Sequence, residues 1–226
     1  MIFISMVIIF DLDDTLYNER TYVEGGIRAV ATFGEEKFGW NGETSFRFMM
    51  DELDARGRGA IFNQWLWSHD KFSKALVERC VQVYRQHIPI LEPDEEALKL
   101  LSAISKYPKY IVTDGHKIVQ RNKIMALDLN HFFRKIFITH RYGLQHAKPS
   151  IYCFEKIKKM EACNWHDMFY VGDNPSKDFV NLNPLGVRTV RVLTGVHRDV
   201  NAKPGYDALH TIESLKLFPK LLEHKS

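Results

Sequence analysis

Residues 7–16 read Val-Ile-Ile-Phe-Asp-Leu-Asp-Asp-Thr-Leu, four apolar residues running straight into three carboxylates. A short branched run ended by acids predicts a buried strand that delivers charge at its tip. Side chains two apart on an extended chain share a side, so Asp11 and Asp13 project together while Leu12 points away. Two carboxylates that close repel each other unless a cation or a shared proton offsets them. The competing reading is a strand ending in a solvated acidic turn, and the remainder of the chain decides between the two.

Residues 17–93 carry helical periodicity throughout. Glu24 to Phe38 places Ile27, Val30, Ala31 and Phe38 close to a 3.6-residue period, and Thr44 to Ala55 does the same with Phe46, Met49, Met50 and Leu53. Ile61 to Trp67 is a short aromatic segment, and Lys71 to His87 predicts a longer helix. Glycines at 39–42 and 57–59 separate these segments. In Arg56-Gly57-Arg58-Gly59 two readings stand side by side, a helix C-terminus with favourable positive charge or a mobile clamp for a second anion. Trp65 and Trp67 read as core of a helical bundle, and Asn18, Glu19 and Arg20 as positions where two domains meet.

From Asp94 the texture changes to helix and strand in alternation. Helices are predicted over Asp94 to Lys106, Lys117 to Leu127, Pro149 to Cys163 and Ile212 to Glu223, the last with a kink at Pro219. Short strands are predicted at Tyr110 to Val112, Ile136 to Ile138, Phe169 to Val171 and Thr189 to Leu193. Alternation of this kind implies right-handed crossovers and a parallel sheet covered on both faces. The predicted fold class is α/β, a Rossmann-like doubly wound core formed by residues 1–16 and 94–226, with an all-helical domain inserted at 17–93.

Composition narrows the function classes. A formal net charge of +3 with no long basic run points away from nucleic acid and anionic membranes. The apolar start at residues 1–6 lacks a basic flank and meets acids within a dozen residues, so no signal peptide and no spanning helix is expected. Cys80, Cys153 and Cys163 are odd in number and form no CxxC pair, which suits reduced thiols in a cytoplasmic protein. Ten scattered histidines form no metal-binding pair.

Polar clusters follow the downstream ends of the apolar strands: Asp11 and Asp13, Thr113 to Gly115, Lys148, and Asp173 with Asp178. In a doubly wound sheet those ends share one edge, the edge where such folds bind ligands. Four clusters on one edge favour a site over four unrelated solvated turns.

The set Asp11-Leu12-Asp13-Asp14-Thr15, Thr113-Asp114-Gly115, Lys148-Pro149 and Gly172-Asp173-Asn174-Pro175-Ser176-Lys177-Asp178 resembles, in order and spacing, the four signature motifs of the haloacid dehalogenase superfamily. The resemblance implies that residues 17–93 are a helical cap of the first cap type. It also implies a role for each motif residue. Asp11 would be the nucleophile that forms an aspartyl-phosphate. Asp13 would be the acid for the leaving oxygen and then the base for water. Thr113 would bind phosphate, with main-chain N–H groups around Asp114 and Gly115. Lys148 would balance charge on nucleophile and phosphate. Asp173, Asp11 and a main-chain oxygen of Asp13 would ligate Mg²⁺, and Asp178 would hold a metal-bound water or Lys148. Four carboxylates against one lysine would repel a phosphate dianion, so the electrostatics call for the cation independently.

The implied activity is Mg²⁺-dependent hydrolysis of a small phosphorylated metabolite, of the sugar phosphate or nucleoside monophosphate class. The alternatives within the superfamily are a 2-haloacid dehalogenase, disfavoured by the second carboxylate Asp13, and a phosphosugar mutase, disfavoured by Asp14 where mutases usually carry glycine. A catalytically silent binding protein is the non-enzyme alternative. Asp114 stands where asparagine is commoner, and its side chain is expected to face away from phosphate.

Overall fold

In the computed structural model, which describes residues 6–223, a six-stranded parallel sheet runs in the order β3-β2-β1-β4-β5-β6. The strands are β1 (Val7–Phe10), β2 (Lys109–Thr113), β3 (Lys135–Ile138), β4 (Met168–Gly172), β5 (Arg188–Val192) and β6 (His210–Ile212). The apolar run of residues 7–10 is the central strand, paired with β2 on one side and β4 on the other. Period-two alternation splits it between the two faces. Val7 and Ile9 join Tyr110, Val112, Met168 and Tyr170 in a cluster with Phe154 and Ile157 of helix α7 (Tyr152–Glu161). On the opposite face Phe10 meets Phe133 and Phe218, and Phe169 meets Phe218 as well. The sheet is thus buried on both sides, which is the doubly wound α/β class read from the sequence.

The chain divides into two compact units, one formed by residues up to Glu19 with those from Leu91 onward, the other by Arg20–Ile90. The second unit contains only helices. Helix α1 (Glu19–Phe38) enters it, followed by α2 (Gly42–Arg56), α3 (Ile61–Ser68) and α4 (Lys74–Gln86). Its core gathers Val23, Ile27, Val30, Met49, Trp65, Leu66 and Cys80. Trp65 is fully buried, as expected of a core residue, whereas Trp67 is half exposed and lies against Phe72. Arg56 closes α2, paired with Glu52 at 2.8 Å, and the Gly57 N–H returns to Leu53 O. That arrangement accounts for Arg56 as a helix C-terminus.

Several boundaries differ from the sequence reading. Helix α1 begins at Glu19 rather than Glu24 because the Asp14 carboxylate accepts from the Glu19 N–H at 2.9 Å and caps the first turn. Helix α4 begins after Ser73, whose hydroxyl accepts from Leu76 N, so Lys71 and Phe72 stay outside it. Pro149 does not open α7, which starts at Tyr152. Its carbonyl instead accepts from the Asn181 amide. The segment read as one terminal helix from Ile212 begins on the last residue of the edge strand β6 and is helical as α8 only over Phe218–Glu223. Pro219 sits in the first turn of α8, where a missing N–H breaks no helical bond, so it starts a helix and does not kink one. The remaining core helices are α5 (Glu95–Ala103) and α6 (Lys117–Ala126).

All three cysteines are free thiols. Among the described residues no helix is long and apolar enough to cross a membrane. The apolar start at residues 1–5 lies outside the described residues.

Candidate active site

The C-terminal ends of β1, β2 and β4 deliver Asp11, Thr113 and Asp173, and the loop after β3 delivers Lys148. Asp11 is buried. One of its oxygens accepts from Leu12 N at 2.8 Å, and the other lies 2.8 Å from Lys148 Nζ. The same ammonium lies 2.7 Å from Asp178 Oδ1 and donates to the Tyr170 hydroxyl at 2.9 Å. Tyr170 in turn donates to Asp178 Oδ1, and Asp178 Oδ2 accepts from Asn174 N. Burial alone would pull the Lys148 pKa down, but Asp11 and Asp178 outweigh it and hold the ammonium charged.

Asp173 completes a group in which Asp11, Asp173 and Asp178 each place a carboxylate oxygen within 4.8 Å of the others. No donor among the described residues reaches the Asp173 carboxylate. Burial, then the charges of Asp11 and Asp178, push it up to about 9. Burial likewise pushes Asp11 up to about 6 against the pull of Lys148. A buried carboxylate in that condition lacks positive charge, and an oxygen-only set of this kind suits a hard divalent cation.

Asp13, two residues from Asp11, has different neighbours. Its Oδ1 accepts from the Tyr17 hydroxyl at 2.6 Å and from Lys123 Nζ at 2.7 Å. Its Oδ2 accepts from Gln120 Nε2 at 2.9 Å. Lys123 is buried and also lies 2.8 Å from Glu19 Oε1, so one ammonium serves two carboxylates. Burial lowers the Lys123 pKa, and Asp13 with Glu19 more than reverse that. Burial, then the charge of Asp13, holds the Tyr17 phenol well above its ordinary range, which keeps it a donor. The Asp13 side chain thus lies outside the acidic trio.

Gln120 Nε2 also donates to Thr113 Oγ1 at 2.7 Å. Gly115, at φ +138°, stands beside it, and a Cβ there would come within 3.0 Å of the Gln120 side chain. Asp114 turns to the neighbouring loop. Its Oδ1 accepts from the Thr139 hydroxyl at 2.6 Å and from Lys148 N at 3.0 Å. Its carboxylate is thereby held below its ordinary range against burial, chiefly by the charges of Lys148 and Lys177. Asp14, at φ +51°, accepts from Val196 N, and its carbonyl takes the Thr194 hydroxyl. Gly195 must be glycine for this contact, since a Cβ would fall 2.0 Å from Asp14 Cγ.

All eight residues singled out from the sequence thus stand along one edge of the sheet. Tyr17, Glu19, Gln120, Lys123 and Tyr170 escaped that reading as partners of the acids. Gln120 and Lys123 carried no signal in the sequence, where a polar residue on a helix reads as solvated; only the structure shows them buried on α6 beside Ile124 while Ile118 and Met125 are exposed. For Tyr170 there was none either, because a tyrosine in a buried strand reads as core.

A glyceraldehyde 3-phosphate phosphatase of Methanocaldococcus jannaschii is 27% identical over 216 residues, 92% of this chain and 93% of that protein. The magnesium-bound crystal structure of the HAD-hydrolase YfnB from Bacillus subtilis aligns with 97% of this chain and 99% of its own, at a TM-score of 0.70 and 17% identity. A 2-haloacid dehalogenase from Pseudomonas syringae aligns with 96% of this chain and 98% of its own, at 0.64 and 19%. These two structures share the fold, and a fold alone does not fix the chemistry. Residues 8–192 match the haloacid dehalogenase-like hydrolase family model, and the chain belongs to that family.

Proposed function

We propose that, as a member of this hydrolase family, the chain is a Mg²⁺-dependent phosphomonoester phosphatase of the cytoplasm. Its substrate would be a small phosphorylated metabolite, with a triose phosphate such as glyceraldehyde 3-phosphate the first candidate. The observation that carries the reading is the pair Asp11 and Asp13, two carboxylates on one strand end held by separate lysines. Displacing halide needs no acid for the leaving group, whereas displacing an alkoxide does. The substrate class follows the phosphatase relative, which aligns over nearly the whole chain.

In this reading Asp11 attacks phosphorus, the ester oxygen leaves with a proton from Asp13, and an aspartyl-phosphate forms on Asp11. Asp13, now a carboxylate, takes a proton from water as that water attacks phosphorus and frees Asp11. Thr113 donates its hydroxyl hydrogen to a phosphoryl oxygen. Lys148 keeps positive charge beside the nucleophile through both halves. Asp11, Asp173 and the Asp13 main chain would hold Mg²⁺, with Asp178 acting through Lys148 or a bound water. Bound there, the cation would neutralise the acidic trio and the incoming phosphate. We assign the helical unit, residues 17–93 in the sequence reading, the part of a cap.

The experiment is release of inorganic phosphate from glyceraldehyde 3-phosphate and a panel of sugar and nucleoside phosphates, with Mg²⁺ and with chelator. Turnover of a triose phosphate that requires Mg²⁺ is the expected result. Release of chloride from 2-chloropropionate with no phosphate release would replace this reading by the dehalogenase.

A further inference from the structure

We propose that Gln120 and Lys123, one turn apart on α6, are positioning residues that aim the acid–base carboxylate of Asp13 and the phosphate-binding hydroxyl of Thr113. The inference rests on the phosphatase reading and deepens it. Three observations carry it. First, among the described residues every hydrogen bond to the Asp13 carboxylate comes from a side chain: Tyr17 and Lys123 on one oxygen, Gln120 on the other. A carboxylate gripped on both oxygens by three donors keeps one rotamer and one plane, which is what proton transfer to a fixed leaving atom requires. Second, Gln120 donates to Thr113 Oγ1 with the same nitrogen. Because that oxygen accepts, the threonine hydrogen is left to donate elsewhere, toward a phosphoryl oxygen. One amide therefore sets both groups, and Gly115 leaves it the space.

Third, Lys123 is placed to grip and not merely to neutralise. A single ammonium between Asp13 and Glu19 leaves one net negative charge, at 2.7 and 2.8 Å, with the lysine itself buried. The i, i+3 spacing puts Lys123 and Gln120 on one face of α6, and the helix turns that polar face inward while Ile118 and Met125 point to solvent. Burying two polar side chains in place of two available apolar ones is unfavourable unless each makes its bonds, and each does.

The test uses the full chain with Mg²⁺ and two esters. Phenyl phosphate needs a proton on its leaving oxygen, and 2,4-dinitrophenyl phosphate does not. Gln120→Met keeps volume and removes the shared donor. The double variant Lys123→Met with Glu19→Gln keeps the cluster's net charge. For either, kcat/KM on phenyl phosphate should fall about 10- to 100-fold, the range expected for a misaimed acid. The loss on the dinitrophenyl ester should be at least about fivefold smaller, because its first step uses no acid. On that ester the variants should also show a burst of dinitrophenolate followed by a slower steady rate, since Asp13 is still needed as base. Gln120→Met changes no charge and carries the test alone if the double variant does not fold. Equal losses on both esters at an unchanged melting temperature, or no loss on either, would overturn the inference and leave α6 a structural support. If the unaltered chain hydrolyses neither ester, the phosphatase reading itself fails, and that result appears before any variant is made.

Discussion

Asp11 and Asp13 leave the same strand two residues apart, and the two corners they occupy are built alike up to a point. Each is met by a buried lysine that is shared with a second acid, Lys148 with Asp178 and Lys123 with Glu19. The difference lies in what else stands nearby. Asp11 faces Asp173, a third buried carboxylate that no donor among the described residues relieves, whereas Asp13 is held by Tyr17 and Gln120 as well. One corner is short of positive charge, and the other is held by three donors that leave an acceptor position on Asp13 Oδ2. A cation and a phosphoryl group suit the first, and a fixed proton carrier suits the second. Identical side chains from one turn are thus steered into different chemistry by their neighbours.

The strongest way to break the comparison is Asp11→Asn. It removes the proposed nucleophile at constant volume, and phosphate release should fall by about four orders of magnitude or more. The melting temperature of the metal-free protein should not fall, because a charge leaves a crowded acidic corner. Circular dichroism melts beside the phosphate assay would check both. Retained turnover would mean that Asp11 is no nucleophile.

Chelation comes next. Activity should vanish in excess chelator and return with Mg²⁺, while Ca²⁺, with its larger and looser shell, should restore little. Metal titration with the phosphate assay decides it, and full activity in chelator would remove the cation from the Asp11 corner.

The two lysines offer a sharper contrast. Lys148→Met and Lys123→Met each strand a pair of acids that lost a buried partner, and each should lose about 3–5 kcal/mol of stability in denaturant titration without metal. Mg²⁺ should recover much of the loss at Lys148, where the acidic trio can share it, and little at Lys123. Equal recovery at both would erase the distinction drawn between the corners.

A further contrast is in pH. The Asp173 carboxyl has an ordinary value of 3.8 and is pushed up to about 9 in the folded, metal-free protein. Between those values the folded chain holds a proton that the unfolded chain has lost. Stability of the metal-free protein should therefore fall as pH rises across that window. Asp11, pushed up to about 6, acts in the same direction over a narrower range. Thermal melts from pH 5 to 9 should show the decline, and stabilisation by Mg²⁺ should grow with pH. A flat profile in chelator would show that the Asp173 corner is better compensated than its neighbours suggest.

What the sequence by itself determined was whatever rests on local pattern. A short branched apolar run ended by acids favours a buried strand with charge at the tip, and residues 7–10 form one at the centre of the sheet. Strands alternating with helices then force the other acids, the threonine and the lysine loop onto the same edge. Short or irregular elements were harder to see. Strand β6 has three residues, too few for a period, and Pro219 reads as a kink until the strand before it is known. Tertiary structure alone decided how the two carboxylates differ. Lys123 and Gln120 stand more than 100 residues from Asp13 in the chain, and Tyr170 is bonded to Lys148 and Asp178 from inside a buried strand. Sequence periodicity reports which face of an element is apolar, but the partner of a buried charge is set by where other elements place their donors in space. That pairing leaves Asp11 in a corner short of positive charge and holds Asp13 in one orientation.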